Sequence, residues 1–464
     1  MSARLMAAST SLDRCTSNAG SRCRPDRRDR PCSPGGHRDG DDDRMMPLTR
    51  FGTFLTIGAF WIWCGLLSYP LLSLKVDLVE AWTEYYSIAT ENSVIVVSQI
   101  AGLALFVLAV FAQGFRVQQA IGRLSYTALG ILAIFFLSLA CQLRELDMPA
   151  LMGIAYTLLL VITSASLCVL WTLPNRDLEI CLTGAAVLLC SFGVVAIATL
   201  GWPDGRSVGN IHPNGFATPL LAAFILSQFR RGWIGVAVRV LSFAMVTLVS
   251  SRFAMAGCIA AFLLHQATLN PFSPGKIAAA ILLPCAVVLF WPVISGVLAL
   301  DDPDRGLTSG ISGRDDLWQH SLEAIAEHPF GIGFKRTMLG EEGGHNGYLK
   351  TVLEFGIFGG GLLITFLMSI IASAGIEAVI TLGRDRRDHQ FACARFGGLV
   401  ALALGAFFQP QLLSLGDAFS LSLLFLMFRP RLAPAPCSLR SRAVDDTASS
   451  GNGPAESILT HPAE

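Results

Sequence analysis

Residues 276–299 read KIAAAILLPCAVVLFWPVISGVLA, a run whose single charge stands at its first position. At about 1.5 Å per residue, a helix of that length crosses roughly 30 Å of hydrocarbon. An α-helix suits it because, in lipid, every backbone N–H and C=O needs a partner inside the segment. Similar runs recur along most of the 464 residues, of which 53% are hydrophobic and 15% charged. That balance excludes an ordinary soluble protein and predicts an all-α polytopic membrane protein.

Working outward, the apolar runs predict about twelve transmembrane helices, at 51–74, 93–112, 124–141, 149–171, 178–200, 214–229, 232–250, 253–268, 276–299, 347–379, 395–412 and 416–429. Only Ser250-Ser251-Arg252 interrupts the seventh and eighth, and a Gln-Pro-Gln turn separates the last two. The tenth is long enough to tilt or to include an interfacial turn. Residues 1–50 and 431–464 are polar, without apolar period, and read as disordered tails around a membrane domain at 51–430. No apolar h-region follows the first basic residues, so the start does not read as a secretory signal. Met45 and Met46 precede the first span and mark alternative starts.

Basic residues set the orientation. With a cytoplasmic N-terminus, the inner connections hold Arg116, Arg123, Arg176, Arg230, Arg231, Lys276, Arg384, Arg386, Arg387 and Arg395, and the C-terminal tail adds Arg429 and Arg431. The outer connections are short, poor in base, or acidic, as at Asp77, Glu80, Glu84 and Glu91. Both termini are then inside, and one large extracytoplasmic loop, 300–346, lies between spans nine and ten. Against this trend the outer face keeps Arg206, Arg252, Arg305, Arg314, Lys335 and Arg336. The twelve cysteines show no disulfide framework and no paired zinc spacing, and those in apolar runs read as small hydrophobes. No internal repeat is visible by eye.

The longest polar break, 301–360, reads DDPDRGLTSGISGRDDLWQHSLEAIAEHPFGIGFKRTMLGEEGGHNGYLKTVLEFGIFGG. Ser312 followed by Asp315 resembles a helix N-terminal cap, and Leu317, Trp318, Leu322 and Ile325 make an apolar stripe that ends before Pro329. A short helix on the membrane surface would bury that stripe in the interface. Its first turn would offer free N–H groups beside Arg314, a setting suited to phosphate. Arg314 pairing with Asp315, Asp316 or a headgroup is the bland alternative. His345 stands where the chain re-enters the bilayer, and an imidazole there is a natural general base for a sugar hydroxyl. Glu354, inside the next span, needs a partner or a wet cavity. Arg206 through His212-Pro213-Asn214, and Ser250-Ser251-Arg252, bring further donors to the same face. Of these Arg252 is the stronger candidate, since it interrupts an apolar region.

Together these stretches resemble the O-antigen ligase and O-antigen polymerase superfamily. His345-Asn346, nine residues, Gly356, two residues and Gly359 look like its histidine motif. Ser312-Gly313-Arg314 with Trp318, and His328-Pro329-Phe330-Gly331-Ile332-Gly333, are similar to the run ahead of that histidine. The likeness is specific over about residues 205–360. It implies a GT-C-type glycosyltransferase of the bacterial inner membrane, needing neither cofactor nor metal. Such enzymes move a glycan en bloc from undecaprenyl pyrophosphate to an acceptor hydroxyl on the periplasmic face, in lipopolysaccharide or exopolysaccharide synthesis. Carried over, His345 and Arg314 are catalytic, and Arg252, Arg206, His212, Asn346 and Glu354 bind substrate. The implied partners are the lipid-linked donor, a glycan or lipid A core acceptor, the membrane and other polysaccharide-assembly proteins; no nucleic acid is expected.

Two other readings stand beside this one. Asp302-Pro303-Asp304, with Asp77 and Glu80, offers oxygen ligands suited to Mg²⁺ or Mn²⁺, although short acidic triplets are usually solvated. A multi-span transporter or flippase of lipid-linked sugars would place polar groups at the bilayer midplane, and Arg239 and Glu377 are its candidates. Ligase, polymerase and protein-directed transfer share one donor chemistry and are not separated by the sequence.

Overall fold

The computed structural model describes residues 47–73, 93–114, 122, 124–142, 148–204, 206–269, 273, 275, 288–298, 314–334, 346–383, 385–413 and 415–430. Of the expected tails at 1–50 and 431–464, residues 1–46 and 431–464 lie outside these residues, as does most of the 300–346 loop, whereas residues 47–50 are helical and belong to the first helix rather than to a tail. The described helices are α1 (Pro47–Leu66), α2 (Ser93–Phe111), α3 (Tyr126–Gln142), α4 (Met148–Leu170), α5 (Asn175–Leu200), α6 (Pro213–Ser227) and α7 (Trp233–Leu248). They continue with α8 (Arg252–Leu269), α9 (Trp291–Leu298), α10 (Arg314–Glu327), α11 (Gly347–Ile380), α12 (Arg386–Gly405) and α13 (Ala418–Met427). Among the described residues there is no strand, only isolated bridges at Asp204–Ser207 and Val208–Ile211.

Among the described residues, six helices are long and apolar enough to cross a membrane, and four more are apolar but shorter. The all-α membrane character is therefore established, while the number twelve rests on the sequence. Of the expected span 276–299, only the end carrying α9 is described. One boundary moves well beyond fraying: the span expected at 395–412 is a helix from Arg386 to Gly405. Three polar residues in its first half, His389, Gln390 and Arg395, are buried and satisfied by protein. His389 Nδ1 meets the Thr381 hydroxyl at 3.1 Å, Gln390 Nε2 donates to the Gln228 carbonyl at 2.9 Å, and Arg395 Nε donates to the Leu426 carbonyl at 2.8 Å. Hydropathy stops at such residues because it counts them as solvated; neighbouring helices supply the missing partners instead.

The core is built around α6. Every residue from Phe216 to Ser227 is buried, as expected for a helix apolar on all sides. It packs against α5, α7, α8, α12 and α13, and α8 lies along α12. Small residues permit close approach. Gly184 of α5 receives the Trp61 ring of α1, whose indole N–H donates to the Cys181 carbonyl at 2.8 Å. The six described free cysteines, Cys64, Cys168, Cys181, Cys190, Cys258 and Cys393, are all buried in this packing.

Charged contacts gather at one end of the bundle. Arg230 pairs with Glu179 at 2.8 Å, Asn175 donates to Asp388 at 2.9 Å, and Arg231 donates to the Arg386 carbonyl at 2.5 Å. Glu377 is bracketed by Arg395 at 3.0 Å and Arg429 at 2.6 Å, and Arg429 also lies over the Trp171 ring. These contacts join residues that the basic-residue pattern assigns to inner connections. Arg239, one of the two transport candidates, donates to the Ser227 carbonyl at 2.9 Å at this same end. Glu377, the other, belongs to the ion cluster, so both have structural partners.

Candidate active site

The opposite end gathers the turns that the sequence singled out. Helix α5 closes at Gly201, whose φ of 96° suits glycine, and the chain runs through 202–211 into α6. His212 caps α6: its Nδ1 accepts the Asn214 N–H at 3.2 Å, and Pro213 fills the first helical position, where no N–H is needed. Arg206 donates from Nη2 to the Ser250 carbonyl at 2.8 Å, and the Ser251 hydroxyl meets Asn214 Oδ1 at 3.2 Å. Ser250 has a φ of 49°, a left-handed conformation uncommon for a non-glycine residue. That strained turn separates α7 from α8 and puts Arg252 at the start of α8. Arg206, His212 and Arg252 thus belong to one joined cluster of turns.

The second half of the site is the start of α11. Asn346 is buried, and its Oδ1 accepts the N–H groups of Tyr348 at 2.9 Å and Leu349 at 3.2 Å. This side chain caps two otherwise orphaned donors. The Gly347 N–H donates to the Ala406 carbonyl at 2.7 Å, and the Tyr348 hydroxyl donates to the Ala403 carbonyl at 2.7 Å. Both bonds tie α11 to the end of α12. The same end of α12 reaches the first cluster, because Gly405 packs close to Phe253, the residue after Arg252. Backbone and packing contacts therefore link Arg206, Arg252 and Asn346 through α12.

Lower on α11, Lys350 Nζ stands 4.0 Å from Glu354 Oε1, one helical turn apart. Glu354 is 5% exposed and lines a small cleft with Phe334, Lys350, Thr351, Leu412 and Leu413. The acid that the sequence marks as needing a partner has a lysine beside it. Lys350 was not anticipated, and its spacing four residues before Glu354 was the available signal.

Two glycines define the next layer. Gly356 has φ 75° and ψ 171°, which breaks α11 into a short first segment, Gly347–Phe355, and a longer one beyond it. The freed backbone groups are taken by the loop after α10. Ile332 N–H donates to the Leu353 carbonyl at 2.9 Å, Gly333 N–H to the Glu354 carbonyl at 3.0 Å, and Ile357 N–H to the Pro329 carbonyl at 2.9 Å. Irregular backbone within an apolar helix is tolerated when protein supplies its partners. Helix α10 itself packs on α11, with Ser321 and Ile325 buried and Leu322 exposed. Its stripe is thus turned partly onto α11, where the sequence alone suggested the membrane interface.

Arg314 opens α10. His345 immediately precedes Asn346 in the chain and lies outside the described residues, as do Ser312, Gly313, Lys335, Arg336 and the Asp302-Pro303-Asp304 triplet. Asp77 and Glu80 lie outside them too.

An all-α, multi-helix membrane protein with polar turns joined at one end of its bundle is the class these features define. Residues 215–364 match the family model described as O-antigen ligase. Over those residues the chain is similar to this family, which its motifs also resemble. The match runs from the first turn of α6 into α11 and includes Ser251-Arg252, α10, Asn346 and Gly356; Arg206 and His212 precede it. No curated protein matches the chain.

Proposed function

We propose that this protein transfers a glycan en bloc from undecaprenyl pyrophosphate to a sugar hydroxyl on the periplasmic face of the bacterial inner membrane. The product is lipopolysaccharide O-antigen or an exopolysaccharide. The observation that carries the reading is the O-antigen ligase match at 215–364. It covers both the Arg252 turn and the Asn346 helix start, whose neighbourhoods α12 joins.

In this mechanism His345 takes the proton from the acceptor hydroxyl as its oxygen attacks the anomeric carbon. The bond from that carbon to the pyrophosphate oxygen breaks, and the bonding pair leaves with undecaprenyl pyrophosphate. Arg314, Arg252 and Arg206 hold the leaving diphosphate, because guanidinium–phosphate bonds strengthen as negative charge develops. One displacement inverts the anomeric centre and needs one base, not the two carboxylates of a glycosidase. Asn346 holds the helix start next to the base, and Glu354 with Lys350 provides polar contacts for sugar beneath it.

Deletion of the gene, followed by analysis of lipopolysaccharide and exopolysaccharide, tests the reading. Single repeat units without longer chains indicate a polymerase, and polymer retained on its lipid carrier indicates a ligase. Unchanged glycans of every kind would overturn the assignment.

A further inference from the structure

The break in α11 makes Gly347–Phe355 a short helix of its own, set at an angle that ordinary helical continuity does not dictate. Two sets of contacts hold it. At its start, Gly347 N–H and the Tyr348 hydroxyl are bonded to the end of α12. At its far end, the loop Pro329–Gly333 supplies the three backbone bonds around Gly356. The two segments touch so closely there that neither Gly331 nor Gly356 has room for a Cβ. At Gly356 it would lie 2.5 Å from the Phe330 carbonyl carbon, and at Gly331 it would run into the Gly356 nitrogen. Gly331 also has a φ of 87°, and the φ and ψ of Gly356 fall in a region essentially reserved for glycine.

We infer that Gly331 and Gly356 form a clasp that positions the two halves of the reaction centre relative to each other. The loop is the direct continuation of α10, which opens at Arg314, and the short helix is the direct continuation of His345-Asn346. Because the clasp is made of backbone, it fixes the angle and register of one against the other without using a side chain that substrate must approach. Both glycines are positioning residues: they touch no reacting atom, and they act by holding the elements that do. This role rests on the glycan-transfer reading given above.

The test uses the full-length protein in lipid nanodiscs with a polyprenyl-pyrophosphate-linked glycan as donor. Gly356→Ala is compared with Gly361→Ala, the same change in the same helix at a position with nothing within 4 Å of the added carbon. Gly356→Ala is expected to lower kcat about 100-fold, the scale of a misplaced reactive group, while donor KM stays within threefold. Hydrogen exchange at residues 330–334 should quicken, and α6 and α12 should keep their protection. Gly361→Ala should match the wild type in all three. A Gly356→Ala protein with lost protection at 330–334 but wild-type kcat overturns the positioning role, as does equal loss of donor affinity and turnover.

Should Gly356→Ala fail to accumulate, Tyr348→Phe carries the test from the other end of the short helix. Loss of its one hydroxyl should lower kcat about tenfold at unchanged donor KM, and unchanged kcat overturns the proposal. A wild-type protein that transfers no glycan would instead overturn the functional reading. The exchange behaviour of Gly356→Ala would still report whether the clasp exists.

Discussion

The Asn346 cap offers a perturbation whose size follows from the structure. Its Oδ1 accepts two backbone N–H groups, at 2.9 and 3.2 Å, and the residue is only 4% exposed. Asn346→Ala removes the acceptor and leaves both donors in a place that water reaches poorly. Loss of an N-cap, which is the loss of these same donors' partner, costs about 0.5–2 kcal/mol, and burial puts this site at the upper end, about 2 kcal/mol. That is roughly a thirtyfold change in the equilibrium between the native state and a locally frayed one. Asn346→Asp keeps a carboxylate oxygen in the same place and suits the positive end of the helix, so its cost should be near zero. Thermal unfolding in detergent, with hydrogen exchange at residues 347–350, checks the pair. Fast exchange in Asn346→Ala and slow exchange in Asn346→Asp is the expected result. Equal protection in the alanine variant and the wild type would refute the capping argument, and equal damage in both variants would refute its electrostatic part.

Other outcomes follow from the same geometry. Arg314→Ala and Arg252→Ala should each raise the donor KM about 10- to 150-fold, the range for losing one charge-assisted bond; unchanged KM in both would remove the proposed diphosphate contacts. Glu377→Ala leaves Arg395 and Arg429 facing each other in a buried cluster, and about 3 kcal/mol of stability should go with it. Thermal unfolding reads that loss, and a wild-type transition would show that the cluster contributes little.

Much of the fold was legible because apolar length is a local signal. The runs at 93–112, 149–171 and 178–200 became α2, α4 and α5 almost at their expected limits. Even the weak separation at Ser250-Ser251-Arg252 proved to be a turn between α7 and α8. The beginning of α12 was not legible, because His389, Gln390 and Arg395 find their partners on α6, α11 and α13 or just beyond their ends. In the site, Arg206, Arg252, Asn346 and Glu354 could be singled out as residues in unusual places. Their connections could not: Arg206 Nη2 to the Ser250 carbonyl, Gly347 to Ala406 and Gly331 to Gly356 each join residues far apart in the sequence. Gly356 stood out only as a motif position. A glycine within an apolar run does not disclose that the helix stops there, or that a distant Pro-Phe-Gly loop repairs the break.

Coupled transfer is measured by mixing purified protein in nanodiscs with an undecaprenyl-pyrophosphate-linked glycan and a sugar acceptor, then quantifying released undecaprenyl pyrophosphate alongside glycosylated product. Equal amounts of both are expected from the wild type and neither from His345→Ala, with donor binding retained in that variant. Release at the wild-type rate by His345→Ala, or no coupled product from the wild type with any lipid-linked glycan, would contradict it.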